Sequence, residues 1–226
     1  MGWVRGLCRL DHVKWITIVI VAVDGPSAAG KGTLARGIAK HYGFHFLDTG
    51  ALYRMVGLKM LRTQSDFLDV AKATDFARSL NVAGFDDHEL RDEVVGSAAS
   101  KVAAIPQVRT ALLKFQRDFA LRKPGAVLDG RDIGTVICPN ADVKFFITAS
   151  VEARSLRRFK ELQGLGLPAS IEAVTADIKA RDARDATRST APTVAAADAI
   201  VVDTSELGVD EALEVVLAAI ETRKGI

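Results

Sequence analysis

The segment GPSAAGKGT, Gly25 to Thr33, has two glycines flanking four residues and a lysine directly after the second. It stands where an apolar run ends and a helical pattern begins, which is the context a phosphate-binding loop requires. Glycines let the backbone close around phosphate oxygens. Free amides at the start of the following helix point at them, and Lys31 reaches the terminal phosphates. Such a loop needs a buried strand before it and a helix after it, so it commits the chain to the α/β class before any other residue is weighed.

The strand is supplied by residues 16–23, apolar and β-branched almost throughout, the pattern of a central parallel strand covered on both faces. Arg5, Arg9 and Lys14 precede it in the manner of a secretory signal. The run, however, is only eight residues long, too short to span a bilayer, and no small-residue cleavage site follows it. Residues 1–14 read as an N-terminal extension with no legible role, either a disordered tail or the product of an upstream start site. Beyond the loop, Leu34, Ile38 and Ala39 recur at helical spacing until Gly43, and a short strand follows at 44–47. Thr49 is the expected N-cap of a helix through 61, and 66–80 reads as another helix. Pro106 suits the first turn of a helix that turns Val108, Leu112, Phe115 and Phe119 inward. Strands are expected at 126–128, 143–148 and 199–202, and a last helix at 209–222. Strands alternating with helices imply a parallel sheet with right-handed crossovers, flanked by helices.

Composition narrows the chemistry by exclusion. A length of 226 residues fits one catalytic domain, and 49% hydrophobic with 26% charged residues is ordinary for a soluble globular protein. A formal charge of +2 is too small to argue for a duplex-binding surface, so no nucleic-acid or membrane partner is expected. Cys8 and Cys138 lie far apart with no Cys/His cluster, which suggests neither disulfides nor zinc and fits a reducing cytoplasm. His12, His41, His45 and His88 are scattered without metal-ligand spacing and are read as structural or exposed.

Three further segments carry chemistry. In LDTGALYR, Asp48, Thr49, Tyr53 and Arg54 enter a helix from the mouth of the sheet, where ligands of open α/β sheets bind. Arg54 can grip an anionic acceptor there; taken alone it is equally an exposed helical arginine. In DGRDIGT, Asp129, Arg131 and Asp132 leave the end of the third strand, where a carboxylate can orient a magnesium shell or hydrogen-bond an acceptor. In ARDARDATR, Arg181, Arg184, Asp185 and Arg188 share one helical face, and Arg154, Arg157 and Arg158 repeat the spacing earlier. Arginines between 154 and 188 can close as a lid over transferring phosphates, although a solvated ion-paired face gives the same pattern. The loop itself departs from the general pattern at Gly32, where Ser or Thr is usual, which moves Thr33 one position along. The GKGT ending resembles nucleoside monophosphate kinases rather than switch GTPases.

GPSAAGKGT, LDTGALYR, SKVAAIPQVR, DGRDIGT and ARDARDATR, in this order from about residue 16 to the C-terminus, resemble the bacterial cytidylate kinase family. The resemblance implies a P-loop parallel-sheet core with a helical insert for the acceptor nucleotide at about 64–104 and an arginine-rich lid at about 154–188, all within one domain, 15–226. It implies ATP held by Gly25, Pro26, Ser27, Ala28, Ala29, Gly30, Lys31, Gly32 and Thr33. CMP or dCMP would be held by Thr49, Tyr53, Arg54, Ser100, Arg109, Asp129, Arg131, Asp132, Arg181, Asp185 and Arg188. Within that set, Arg54, Arg131, Arg181 and Arg188 would meet the CMP phosphate, Ser100, Arg109 and Asp132 the cytosine, and Asp185 the ribose. Lys31, Arg131, Asp132, Arg157, Arg181 and Arg188 would carry catalysis. Magnesium would come with ATP, held mainly through phosphates and water with Thr33 as the candidate side chain, and the enzyme is expected to be monomeric. One departure stands out: between Leu80 and Ser97 only DDHELRDEVVG fills the place where better-known members carry an extra small sheet. The rival expectations are a P-loop kinase for another acceptor such as UMP or AMP, and a non-catalytic nucleotide-binding module.

Overall fold

In a computed structural model that describes residues 18–224, β1 (Val19–Asp24) runs through the middle of a five-stranded sheet. The phosphate-loop helix α1 (Lys31–Tyr42) follows it, then β2 (His45–Asp48) and α2 (Thr49–Arg62). Next come α3 (Val70–Arg78), α4 (Asp87–Leu90), α5 (Glu93–Val102) and α6 (Pro106–Ala120). The chain then returns to the sheet through β3 (Gly125–Asp129) and β4 (Val143–Thr148). It leaves again as α7 (Val151–Gly164) and α8 (Ile171–Thr187) and finishes with β5 (Ile200–Asp203) and α9 (Val209–Lys224). All pairings are parallel, in the order β2-β3-β1-β4-β5, with Val21 opposite both Val127 and Val143. This is the parallel sheet flanked by helices that the strand and helix spacing implies. The 1–14 extension, with Cys8 and His12, lies outside the described residues, as do the first two residues of the expected 16–23 strand.

Both faces of β1 are covered because its side chains alternate into two cores. Val21 and Val23 pack with Leu34 and Ile38 of α1 and with Val216 and Ile220 of α9. Ala22 faces the other way, toward Leu128, Ala120, Ile133 and Ile137. Ile38 and Ile220 are fully buried, and each contributes about 2 kcal/mol of apolar burial. A separate helical core joins Leu52, Val56 and Met60 of α2 to Ala73 of α3, Val102 of α5 and Leu112 of α6. Between β2 and β3 there is no strand among the described residues, only helices and the short turn Val82–Gly84.

Helix ends follow their local chemistry with two shifts from expectation. Asp48, rather than Thr49, caps α2 by accepting from the Ala51 amide at 3.1 Å, which leaves the Thr49 hydroxyl to donate to the Asp129 carbonyl at 2.7 Å. The helix expected from 66 starts only at Val70, because Asp66 folds its own turn onto the Leu68 amide and Asp69 provides the cap. Ser150 and Ser170 cap α7 and α8 in the usual way.

Candidate active site

The loop between β1 and α1 is shaped by backbone conformations that few residues accept. Gly25 sits at φ 143°, and a Cβ there would lie 1.9 Å from the Ile147 carbonyl oxygen, so only glycine lets the chain pass the end of β4. Ala28 and Gly30 are both left-handed, at φ 59° and 86°, which curls successive amides into a concave anion nest. The first amides of α1 have no intrahelical acceptor and add to it. Residues from Ser27 to Thr33 line the cleft, whereas Gly25 and Pro26 lie behind it. Lys31 is buried and donates its Nζ to the Pro26 carbonyl at 2.7 Å. The loop is fastened from the rear by Arg154, donating to the Ser27 carbonyl at 3.1 Å, and by Thr204 Oγ1, donating to the Ala29 carbonyl at 3.3 Å. The departure at Gly32 has a local cause: a Cβ there would stand 3.1 Å from Asp129 Oδ2, so the bare glycine admits the carboxylate of the neighbouring strand.

The cleft, about 1010 Å³, opens along the carboxyl edge of the sheet at β1, where the strand order reverses. Thr49, Tyr53, Arg54, Ser100, Arg109, Asp129, Arg131, Asp132, Arg157, Arg181, Asp185 and Arg188 all line it. Several are already paired. Arg131 Nε meets Asp185 Oδ2 at 3.1 Å, and Ser100 Oγ donates to Asp185 Oδ1 at 3.1 Å. Arg109 and Asp132 form a buried ion pair, with the Arg109 guanidinium 5.7 Å from the centre of the Tyr53 ring.

Charge is distributed unevenly along the cleft. At the floor, burial lowers the pKa of Lys31 to about 7, with Arg131 pushing the same way and Asp129, Asp24 and Asp48 opposing. Burial raises Asp129 to about 6, against the pull of Lys31. On the far wall the charges are mostly positive. Arg54 is lowered to about 10 by burial and then by Arg181, and Arg188 is lowered by burial against the pull of Asp185. Arg181 Nε and both Nε and Nη2 of Arg188 are buried donors with no partner. Buried donors of this kind are costly unless an acceptor arrives, and crowded guanidinium groups make that acceptor an anion with several oxygens.

The arginines between 154 and 188 divide into separate tasks. Arg181 and Asp185 share the inward face of α8, while Arg188 lies just past its end with an extended ψ of 133°. Arg154 is turned away from the cleft, bonded to Asp182 at 2.6 Å and the Ala149 carbonyl at 2.9 Å, and so acts as a tie rather than a free cation. Arg157 lines the cleft and donates to Thr204 Oγ1 at 3.0 Å. Arg158 reaches across to Glu93 at 2.5 Å, and Arg91 pairs with Glu161 at 3.0 Å, so α7 is clasped to the start of α5.

Residues that motif reading passed over complete the site. Asp24 accepts the amides of Ile133 and Gly134, both at 2.7 Å. An acid ending an otherwise apolar buried run was the available signal for it. Gly96 has no such signal: a Cβ there would sit 3.1 Å from Arg181 Nη1 and 3.5 Å from Arg54 Nη1, so its bareness lets the two guanidinium groups converge. The Leu90 carbonyl holds Arg54 Nη1 at 2.6 Å, from the segment that stands in place of a small sheet.

Residues 21–222 match the family model described as cytidylate kinase. A cytidylate kinase of Rhodopseudomonas palustris is 51% identical over 203 residues, covering 90% of this chain and 96% of the relative. That of Paramagnetospirillum magneticum is 54% identical over 208 residues, covering 91% and 99%. That of Azorhizobium caulinodans is 53% identical over 207 residues, covering 92% and 100%. Among solved structures, an uncharacterized protein from Eubacterium ventriosum superimposes with a TM-score of 0.54 at 14% identity, covering 90% of this chain and 98% of that one, a likeness of fold alone.

Proposed function

We infer that this chain, which belongs to the cytidylate kinase family, is an ATP-dependent CMP kinase that transfers the γ-phosphoryl group of ATP to the phosphate of CMP, giving CDP and ADP. The observation that carries the reading is the set of partnerless guanidinium donors on Arg181 and Arg188, facing the same cleft as the phosphate loop. They give one phosphate group a place to be held opposite another.

In this reading the loop amides and Lys31 hold the donor phosphates, and their negative charge restores Lys31 to its cationic form. Arg54, Arg131, Arg181 and Arg188 hold the acceptor phosphate. Ser100, Arg109 and Asp132 meet the base, with Arg109 and Asp132 presenting a donor and an acceptor side by side, and Asp185 meets the sugar. The acceptor phosphate is already an anion, so no side-chain nucleophile is needed; the protein positions the groups, neutralises charge and excludes water. Residues 64–104 serve as the acceptor-side insert and 154–188 as the lid that closes over the phosphates, with Arg157 reaching in from α7.

No group of three or more His, Cys, Asp or Glu side chains among the described residues gathers to hold a metal unaided. The oxygen donors Asp129 and Thr33, both lining the cleft, suit magnesium, which takes much of its coordination from phosphates and water. Bound there, the ion would neutralise charge on the donor phosphates. We take dCMP as a second acceptor and the enzyme as a cytoplasmic monomer; no described helix is long and apolar enough to cross a membrane.

A coupled spectrophotometric assay over CMP, dCMP, UMP, AMP and GMP tests the assignment. CMP should give the highest kcat/KM, with dCMP next. A clear preference for UMP or AMP would replace the acceptor, and no turnover with any of them would make the cleft a binding module.

A further inference from the structure

Asp24 closes β1, is immediately followed by the phosphate loop, and is 4% exposed. Each of its oxygens is engaged with the neighbouring segment, Oδ1 accepting from the Ile133 amide and Oδ2 from the Gly134 amide, both at 2.7 Å. One residue earlier, the Val23 carbonyl accepts from the Gly130 amide at 3.0 Å. The end of β1 thus grips the segment after β3 at both ends, and the two residues suspended between the grips are Arg131 and Asp132. These are the residues that pair with Asp185 of α8 and Arg109 of α6.

We propose that Asp24 is a positioning residue for the acceptor side of the reaction, fixing Arg131 and Asp132 relative to the phosphate loop without touching either nucleotide. The inference rests on the CMP kinase reading of the cleft. Asp24 is suited to the task because a carboxylate accepts two amides at once, whereas a neutral side chain of the same shape presents a donor to one of them. The donor loop has ties of its own, and the Asp24 charge reaches it only through a pull on the Lys31 pKa that ranks after that of Asp129. Ser27, Ala29 and Pro26 are held through their carbonyls by Arg154, Thr204 and Lys31. Loss of the Asp24 grip therefore loosens the acceptor side while the donor side keeps its ties.

The test is Asp24→Asn, after the wild-type protein has been shown to phosphorylate CMP; if the wild type does not, it is the reading of the cleft that fails and not this proposal. With folding checked by circular dichroism and a thermal melt, KM and the equilibrium Kd for CMP should rise about tenfold or more, because small misplacements of binding groups are expensive in alignment. KM for ATP should stay within about threefold of wild type, as expected when the lost interaction belongs to one substrate. Equal rises for CMP and ATP, or a fall in kcat with both KM values unchanged, would overturn the proposal, since a purely structural role predicts those patterns. Should the Asn variant not fold, Asp24→Glu keeps the charge but extends it by a methylene into the Ile133–Gly134 backbone. The same selective rise for CMP is then expected, and an unselective change refutes the role.

Discussion

Arg131 Nε donates to Asp185 Oδ2 at 3.1 Å, and this one ion pair joins the segment after β3 to α8 across the mouth of the cleft. Burial pushes the Asp185 pKa up, but Arg131, followed by Arg188, more than offsets it and leaves the carboxyl below its ordinary value. Replacing Asp185 with Ala strands Arg131 and removes the acceptor of Ser100. The expected cost is about 3 kcal/mol by urea unfolding at neutral pH, the range for breaking a largely buried pair. Because the folded pKa is depressed, that contribution is present above the ordinary carboxylate pKa and disappears as pH falls through the folded value. The gap between wild type and Asp185→Ala should therefore narrow on acidification.

Lys31 presents the opposite balance between stability and function. Its pKa in the empty cleft is lowered to about 7, by burial first and Arg131 second, so the folded protein binds that proton less tightly than the unfolded chain does. Wild-type stability should therefore rise between pH 7 and about 10, where the unfolded chain releases its proton in turn. Lys31→Met removes the buried amine. At pH 7 the ligand-free variant should melt a few degrees higher, since about 1 kcal/mol moves Tm by roughly 2–4 °C in a chain of this size. Its turnover should nevertheless fall at least about 100-fold, the scale for losing a preorganised charge-stabilising group. A lower Tm would show that Lys31 contributes more to the empty fold than burial costs it.

The strand and helix alternation was legible because β1 is apolar on both faces and the phosphate loop admits a single context. Arg181 and Asp185 were likewise placed correctly on one helical face by spacing alone. Arg154 shows the limit of that reasoning. It has the same spacing as the arginines that face the cleft, yet Asp182 of the next helix, α8, draws it behind the loop. Spacing identifies a face but not what the face meets. Gly96 and Asp24 were missed for the same reason, since each is defined by a neighbour more than 80 residues distant: Arg181 for one, Ile133 and Gly134 for the other.

The unpaired donors of Arg188 predict a thermal signature. A ligand that supplies acceptors to Nε and Nη2 binds only the folded protein, and at 100 times its Kd stabilises it by about 2.7 kcal/mol. CMP should accordingly raise the wild-type Tm by roughly 5–10 °C under those conditions. Arg188→Met keeps the apolar stem and removes the donors. Its own Tm should be equal to or above that of the wild type, because two buried donors without acceptors have been removed, while the shift produced by CMP should largely vanish. A shift that survives would place the acceptor phosphate on other arginines.

Asp24 also leaves a mark on stability that is separate from its effect on substrate. Burial raises its pKa to about 6, with the Gly134 and Ile133 amides pulling the other way and Asp132 adding to the rise. A raised carboxyl is neutral in the folded protein at pH values where the unfolded chain has already ionised. Its contribution is therefore complete below about pH 4 and is lost as pH rises through about 6, a change of up to about 3 kcal/mol. Asn cannot ionise, so Asp24→Asn does not follow this part of the curve. Unfolding free energies of the two proteins, measured from pH 4 to pH 8, should diverge in favour of the variant as pH rises, and the divergence should level off above about pH 7. The carboxylate would then be kept at neutral pH at a cost in stability, which is the expected pattern when a buried charge is retained for the geometry it imposes on Arg131 and Asp132. Parallel curves would mean that Asp24 ionises as readily in the fold as in water, and that the two amides bind it well enough to offset its burial.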